Sequence, residues 1–315
     1  MTRLDDFGFH GISLERANRL SCGSSDKLTY CEHVVTAKCN FSCSYCNCLC
    51  SDDDQSLEGI CRIIDKVASL GCRYYHITGG EPMTRQDIID IVSYAAWRIP
   101  VVRMSTNGSA DLDLYEKIVQ AGCRSFAISL DTAVESERQQ DFDNVVRCIR
   151  FLASCRSDIQ IGTVFDEKNM SEASKIVRFI SELGVSDIKV GTASQNDVSK
   201  VDLSGVEDLF GKHRILRYRA SRFANGRGMR GLEASDCNRC FLSLDDVTIK
   251  GTKHYPCAVY LREGGAAIGE VDDSMMESRR AWFQEHNSSK DSLCCDFCMD
   301  FKCDFNNTVG IMNQL

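Results

Sequence analysis

The stretch Cys39-Asn-Phe-Ser-Cys43-Ser-Tyr-Cys46 sets three thiols four and then three residues apart, just after the apolar, β-branched run Val34-Val35-Thr36. Such spacing lets three sulfurs wrap a single inorganic cluster. Cysteine thiolates are the usual protein ligands of iron–sulfur clusters, and a cubane held by three of them leaves one iron for a ligand that is not protein. A zinc knuckle or unligated thiols would also satisfy the triplet taken alone. The run before it reads as a buried strand over residues 32–37, which puts the thiols at a strand's carboxyl end.

With Tyr45 before the last cysteine, the motif resembles the signature of the radical S-adenosylmethionine (SAM) superfamily. The resemblance implies that Cys39, Cys43 and Cys46 hold a [4Fe-4S] cluster whose free iron is chelated by SAM, with Tyr45 beside the cofactor.

Downstream the pattern alternates between strands and helices. Strands are expected over 73–78, 101–105, 125–129, 159–164 and 187–191, and helices over 56–70, 85–98, 112–121, 141–155 and 172–183. The helix over 56–70 places Leu57, Ile60, Cys61, Ile64 and Ala68 on one face and ends at Gly71, a natural left-handed cap; Thr84 and Asp87 read as the capping pair of the next helix. Strands alternating with helices imply right-handed βαβ units and a parallel sheet. The fold class is α/β, and six such strands fit the partial (β/α)6 barrel that the resemblance implies. Ligands of such sheets bind at the carboxyl ends of the strands.

Directly after the second strand comes Thr78-Gly79-Gly80-Glu81-Pro82. Two glycines let backbone approach a ligand closely, and a carboxylate there can accept hydrogen bonds from an ammonium group. The family's Gly-Gly-Glu motif looks the same, which implies that Gly79, Gly80 and Glu81 meet the SAM amino group. Ser105 and Asn107 end the third strand, and Ser129 and Asp131 end the fourth. The resemblance makes them contacts for the SAM carboxylate and ribose, though turn and cap chemistry would use the same residue types. Val164 is the candidate apolar wall against adenine.

The chain has 315 residues, a net charge of −8 and 19 cysteines. That length predicts one large domain and a smaller one, and the acidic balance gives no support to a nucleic-acid binder. Neither an apolar run long enough to span a membrane nor the apolar core of a signal peptide is present, so the expected location is the cytoplasm. In a reducing compartment so many cysteines argue for metal ligation rather than disulfides. Twelve lie between Cys22 and Cys155 and seven between Cys237 and Cys303, with none from 156 to 236, so two clusters are expected. Cys61, Cys72, Cys123 and Cys148 read as small buried hydrophobes. Seven cations from Lys212 to Arg230, with no acidic residue among them, read either as a solvated basic face or as a surface for an anionic partner.

The expected layout is an N-terminal extension over 1–29 packed on the main domain, a radical SAM partial barrel over 30–200, a linker with the arginine-rich stretch over 201–236, and a cysteine-rich domain over 237–315. Cys240, Gly251 and Cys257 followed by Cys295-x2-Cys298 resemble the family's SPASM domain in its shorter twitch form. This implies one auxiliary [4Fe-4S] cluster held by Cys240, Cys257, Cys295 and Cys298. Cys237, Cys294 and Cys303 are then spare, and Cys237 is the candidate hydrogen donor to a product radical. A zinc ribbon of Cys237, Cys240, Cys295 and Cys298 is the alternative.

The resemblance, over roughly residues 30–305, implies an enzyme that takes an electron from a flavodoxin or ferredoxin and cleaves SAM to a 5′-deoxyadenosyl radical. The radical then abstracts hydrogen from an unactivated C–H bond. The expected substrate is a ribosomally made peptide that is crosslinked, epimerised or oxidised; a small polar or anionic metabolite is the second choice. A non-catalytic iron–sulfur or zinc sensor would have no need of Glu81 and the polar strand ends.

Overall fold

The computed structural model describes residues 13–43, 46, 54–130, 142–167, 169–193 and 198–314. Strands β1 (Tyr30–Thr36), β2 (Tyr74–Gly79), β3 (Val101–Thr106), β4 (Ser125–Ser129), β5 (Asp158–Phe165) and β6 (Asp187–Thr192) lie side by side in chain order. Each pairs parallel with the next. A short helix α1 (Leu14–Leu20) precedes them, and α2 (Leu57–Ser69), α3 (Ile88–Arg98), α4 (Leu112–Gln120), α5 (Phe142–Ser154) and α6 (Ala173–Glu182) connect them. The fold is therefore α/β with a parallel-dominated sheet, and its sequential strand order is the one repeated βαβ crossovers produce.

Helices and strands share one large core, in which Ile60, Ile64, Tyr75, Ile77, Met104, Phe126, Ile161 and Ile188 are fully or almost fully buried. On α2 the buried stripe is Gly59, Ile60, Ile63, Ile64 and Val67. It is rotated from the expected one, because Leu57 and Ala68 reach only the edge of the core and Cys61 is only half-buried. Cys72, Cys123 and Cys148 are buried as small apolar groups, whereas Cys61 is half-buried. The expected cap of α3 is also replaced. Asp87 makes no side-chain capping bond and binds the Arg85 guanidinium at 2.8 and 2.7 Å, while Thr84 Oγ1 donates to the Glu81 carbonyl at 2.7 Å.

Beyond β6, α7 (Arg214–Ala224) occupies the expected linker and packs on that strand. Strands β7 (Asp246–Lys250), β8 (Lys253–Tyr255) and β9 (Gly269–Glu270) then extend the same sheet from its β1 side, β7 parallel and the other two antiparallel. Helices α8 (Ala258–Arg262), α9 (Met275–Glu285), α10 (Ser292–Phe297) and α11 (Asp300–Gln314) complete the chain. The cysteine-rich region is thus continuous with the main sheet. Among the described residues no helix is long and apolar enough to cross a membrane.

Two expectations are corrected here. Four of the seven cations in the arginine-rich stretch are bound to the chain's own acids, whereas Lys212 and Arg214 stay exposed. Arg219 pairs with Asp300 with both side chains fully buried, Arg222 with Asp304 at 3.4 Å, Arg227 with Asp236 at 2.8 Å and Arg230 with Glu263 at 2.7 Å. Except for Asp236, these partners lie roughly 30 to 80 residues away in sequence, so local composition could not reveal them. The N-terminal segment, in turn, divides: Leu28 joins the main core and donates its N–H to Leu70 O at 2.9 Å, whereas helix α1 packs on the C-terminal region. Ala17 and Leu20 share a second core with Phe241, Leu244, Phe283, Phe305 and Val309.

Asp245 anchors that second contact. Its buried carboxylate accepts from Arg16 Nε at 3.1 and 3.0 Å and from Thr29 Oγ1 at 2.7 Å, and it also pairs with Arg19. Burial opposes its ionisation, but Arg16, Thr29 and Arg19 prevail and hold the carboxyl below its ordinary range. Removing one partner of a buried pair leaves the other charge uncompensated, so Asp245→Asn is expected to cost about 3 to 5 kcal/mol in a urea titration at neutral pH. A depressed carboxyl contributes stability above its unfolded value near 4 and loses it as pH falls through its folded value. The gap between wild type and variant should therefore close in acid.

Candidate functional site

The carboxyl ends of β1, β2 and β3 meet at one place, and two glycines bring them together. Gly79 has φ 154°, a conformation that favours glycine. A Cβ on Gly79 would lie 2.1 Å from the Thr36 carbonyl oxygen, and one on Gly80 2.1 Å from that of Lys38. In the space their missing side chains leave, Gly80 N–H donates to Thr36 O at 3.0 Å and Glu81 N–H to Lys38 O at 2.8 Å. The glycines thus admit the backbone that leads into the cysteine loop, at Thr36 and at Lys38, the residue before Cys39.

Glu81 is 1% exposed, and its carboxylate accepts from Met83 N–H at 3.1 Å, Thr106 Oγ1 at 2.9 Å and Asn107 N–H at 2.6 Å. It was expected to receive an ammonium group. These three donors also make it a brace that fixes the β2 loop against the end of β3. Asn107 Nδ2 donates to Asn40 Oδ1 at 2.9 Å, and Asn40 Nδ2 donates to Ser109 Oγ at 2.8 Å, so the β3 end also grips the cysteine loop. On its other side Asp54 accepts from Thr36 Oγ1 at 2.8 Å and Ala37 N–H at 3.3 Å, and Arg85 donates to Val35 O at 2.8 Å. Thr106, Asn40, Asp54 and Arg85 carry no motif, and sequence reasoning missed them.

Cys39 and Cys43 are half-buried and Cys46 is exposed, with Cys46 N–H bonded to Cys43 O at 3.0 Å. Burial, and to a smaller extent the neighbouring Glu81, Cys43 and Cys46, push the Cys39 thiol up, while Phe41 N–H works the other way. Three soft donors on one short loop, with open access at Cys46, suit an iron–sulfur cluster. Tyr45 and Asp131 lie outside the described residues. Ser105 Oγ pairs with His76 Nε2 at 2.7 Å, and His76 Nδ1 with Tyr30 Oη at 2.5 Å. Ser129 and Val164 sit half-buried at and near the ends of β4 and β5.

Alternation along the strands turns Tyr75, Ile77, Val102 and Met104 into the core, so His76 and Arg103 point to the opposite face. There Glu32, His76 and Arg103 stand in register across three strands. Arg103 donates to Ser125 Oγ at 3.0 Å and Gln160 Oε1 at 2.6 Å. Lys189 of β6 joins this polar face. Burial and then Arg219 lower its ammonium pKa to about 8, and Arg262 acts in the same sense; Asp300 and Glu32 act the other way.

In the C-terminal region Cys237, Cys240, Cys257, Cys294, Cys298 and Cys303 line a single cavity with Tyr260, Trp282 and Lys302. Cys295, expected as a ligand, is not among the lining residues, and its Sγ lies 3.5 Å from the Ser288 carbonyl. Adjacent residues on the short helix α10 project in different directions, and there Cys294 is the one turned to the cavity. Cys298 is raised by a hydrogen bond with Cys303 and then by burial. Burial also raises Cys237 and Cys240. Lys302, opposed by burial, is raised by Cys257, Asp246 and Cys240 and is the cation of the site.

Residues 33–180 match the family model described as Radical SAM superfamily. A probable GTP 3′,8-cyclase of Metallosphaera sedula is 28% identical over 168 residues, which are 49% of this chain and 52% of that protein. An AdoMet-dependent heme synthase of Methanosarcina barkeri is 28% identical over 162 residues, 48% of this chain and 46% of that protein. The chain spans about half the length of these curated relatives. In fold it is similar to anSMEcpe with bound AdoMet and Cp18Cys peptide, at a TM-score of 0.55 and 14% identity, covering 90% of this chain and 96% of that one.

The glycine packing makes a sharp prediction. In Gly80→Ala the new methyl group must displace the Lys38 carbonyl, so the Cys39 loop shifts. Anaerobically reconstituted Gly80→Ala should lose the iron that Cys39, Cys43 and Cys46 would hold. Wild-type iron content in this variant would show the close approach to be dispensable.

Proposed function

From the radical SAM domain that residues 33–180 form, we propose that the protein reductively cleaves SAM and abstracts hydrogen from an unactivated C–H bond of its substrate. The observation that carries this reading is the packing of the three-thiol loop against Gly79-Gly80-Glu81 and the end of β3. Cys39, Cys43 and Cys46 would hold a [4Fe-4S] cluster, which supplies the electron, received from a flavodoxin or ferredoxin, that splits the SAM carbon–sulfur bond. Glu81 keeps the loops in place, and Gly79, Gly80 and Glu81 would meet the SAM ammonium. Asn107, Ser129 and Val164, with Asp131 and Tyr45, would line the SAM site; Ser105 would orient through His76. The polar face behind them would receive the substrate, with the sheet curled as a partial (β/α)6 barrel that excludes water.

The C-terminal cavity would hold an auxiliary [4Fe-4S] cluster in a twitch-like domain. Cys240, Cys257 and Cys298 keep the roles assigned from sequence, and Cys303, bonded to Cys298 in the same cavity, takes the fourth place in preference to Cys295. Lys302 would offset the charge of these thiolates. Cys237, kept protonated by burial in that cavity, is the candidate hydrogen donor.

A ribosomally made peptide is the first reading of the substrate, supported by the likeness in fold to anSMEcpe, solved with a peptide. Arg103, Lys189 and Arg262, gathered toward the polar face, support a small anionic metabolite as the second. Both readings place the enzyme in the cytoplasm.

With dithionite and SAM the reconstituted protein should release 5′-deoxyadenosine, and Cys43→Ala should not. Release by a variant lacking all three loop thiols would sink the assignment. Replacing Cys240 and Cys298 together with serine should lower iron to about half while SAM cleavage persists; full iron would discard the auxiliary cluster. Lys189→Met should abolish turnover of an anionic metabolite and leave turnover of a neutral peptide unaffected.

A further inference from the structure

His286, Asp291 and Cys294 each offer one ligand atom, and the three atoms lie within 4.8 Å of one another. His286 Nε2 is 3.6 Å from Cys294 Sγ and 3.7 Å from Asp291 Oδ2. In a tetrahedral zinc site, bond lengths of about 2.3 Å to sulfur and about 2.0 to 2.1 Å to nitrogen and oxygen separate the ligand atoms by about 3.5 Å (S to N) and 3.4 Å (N to O). The observed separations match the first value and stand close to the second, so a small closure of the Asp291 side chain completes the geometry.

The surroundings hold each ligand in place. The His286 ring stacks on Trp282 with centroids 3.9 Å apart and an interplanar angle of 15°. Tyr260 Oη donates to Asp291 Oδ2 at 2.9 Å, while Asp291 Oδ1 accepts Leu293 N–H at 2.8 Å and so caps the helix that carries Cys294. Metal-bound carboxylates are oriented by hydrogen bonds of this kind. A thiolate and a carboxylate neutralise a divalent ion, and a mixed N, O and S set selects zinc over magnesium or calcium.

We propose that His286, Asp291 and Cys294 bind one zinc ion at the edge of the C-terminal cavity, apart from the cluster assigned to Cys240, Cys257, Cys298 and Cys303. The ion clips the end of α9 to the start of α10, and its fourth position is left for water or a further donor. This accounts for the inward turn of Cys294 when the neighbouring thiols already supply four cluster ligands. The zinc site does not depend on the auxiliary cluster being present.

The test is metal analysis of the anaerobically purified holoprotein, incubated with one equivalent of zinc and desalted. Wild type should retain about one zinc per chain, with an X-ray absorption edge fitted by one sulfur and two or three nitrogen or oxygen ligands. His286→Ala and Asp291→Ala should each lose the zinc and keep wild-type iron. Three outcomes overturn the proposal: no retained zinc in wild type, a sulfur-rich zinc shell, or a fall in iron in His286→Ala, which would give Cys294 to the cluster. The wild-type absorption measurement decides the matter even if a variant fails to fold. A chain with zinc but only one cluster would reject the auxiliary cluster and leave this site standing.

Discussion

Two stretches of backbone meet at the strand ends with no room for a side chain between them: the carbonyls of Thr36 and Lys38 rest where the Cβ atoms of Gly79 and Gly80 would be. All else at that end of the sheet follows from this approach. It fixes where β1 stops, and hence the direction in which the loop carrying Cys39, Cys43 and Cys46 leaves the sheet. A protein that must hold a cluster with three thiols from one short loop cannot let that loop wander, because the ligands must be fixed to within a fraction of an ångström. Backbone pairing through Gly80 and Glu81 supplies the rigidity without occupying space on the ligand side.

Glu81 extends the constraint from two strands to three. A buried carboxylate is costly unless its oxygens are satisfied, and here Met83, Thr106 and Asn107 satisfy them. The same residue type that would suit an ammonium in solvent acts here as an internal staple. Its removal would strand buried donors on β3, at about 1 to 3 kcal/mol each. Stability and cofactor geometry are therefore coupled in one side chain.

The parts of the fold that depend on local pattern could be read from sequence. Six strands and five helices follow from apolar periodicity and from glycine stops such as Gly71, Gly122 and Gly184, and the cysteine and glycine motifs fall at strand ends as expected. What escaped was decided at long range. The partners of Arg219, Arg222 and Arg230 are distant acids, and the acidic residue that grips the N-terminal helix, Asp245, lies more than 200 positions beyond it. The choice between Cys294 and Cys295 turns on the phase of a six-residue helix capped by Asp291, and a one-residue error there exchanges which thiol faces the cavity. No spacing rule fixes that phase; the cap does.

These long-range contacts also explain why the cysteine-rich region does not stand apart as a module. Strand β7 pairs with β1 in register from Tyr30 with Asp246 to Val34 with Lys250, so it runs beside the strand that delivers the three-thiol loop. Across that join Arg262 pairs with Glu32 at 3.3 Å, and on the C-terminal side Lys302 pairs with Asp246 of β7 at 3.7 Å. A cation lining the second cavity is thereby tied to the strand that pairs with β1. Two cofactors that exchange an electron through one substrate would need a fixed separation. A shared sheet ladder provides it more firmly than a linker could, since a shift between the two regions would break a parallel strand pair and uncover buried charges together.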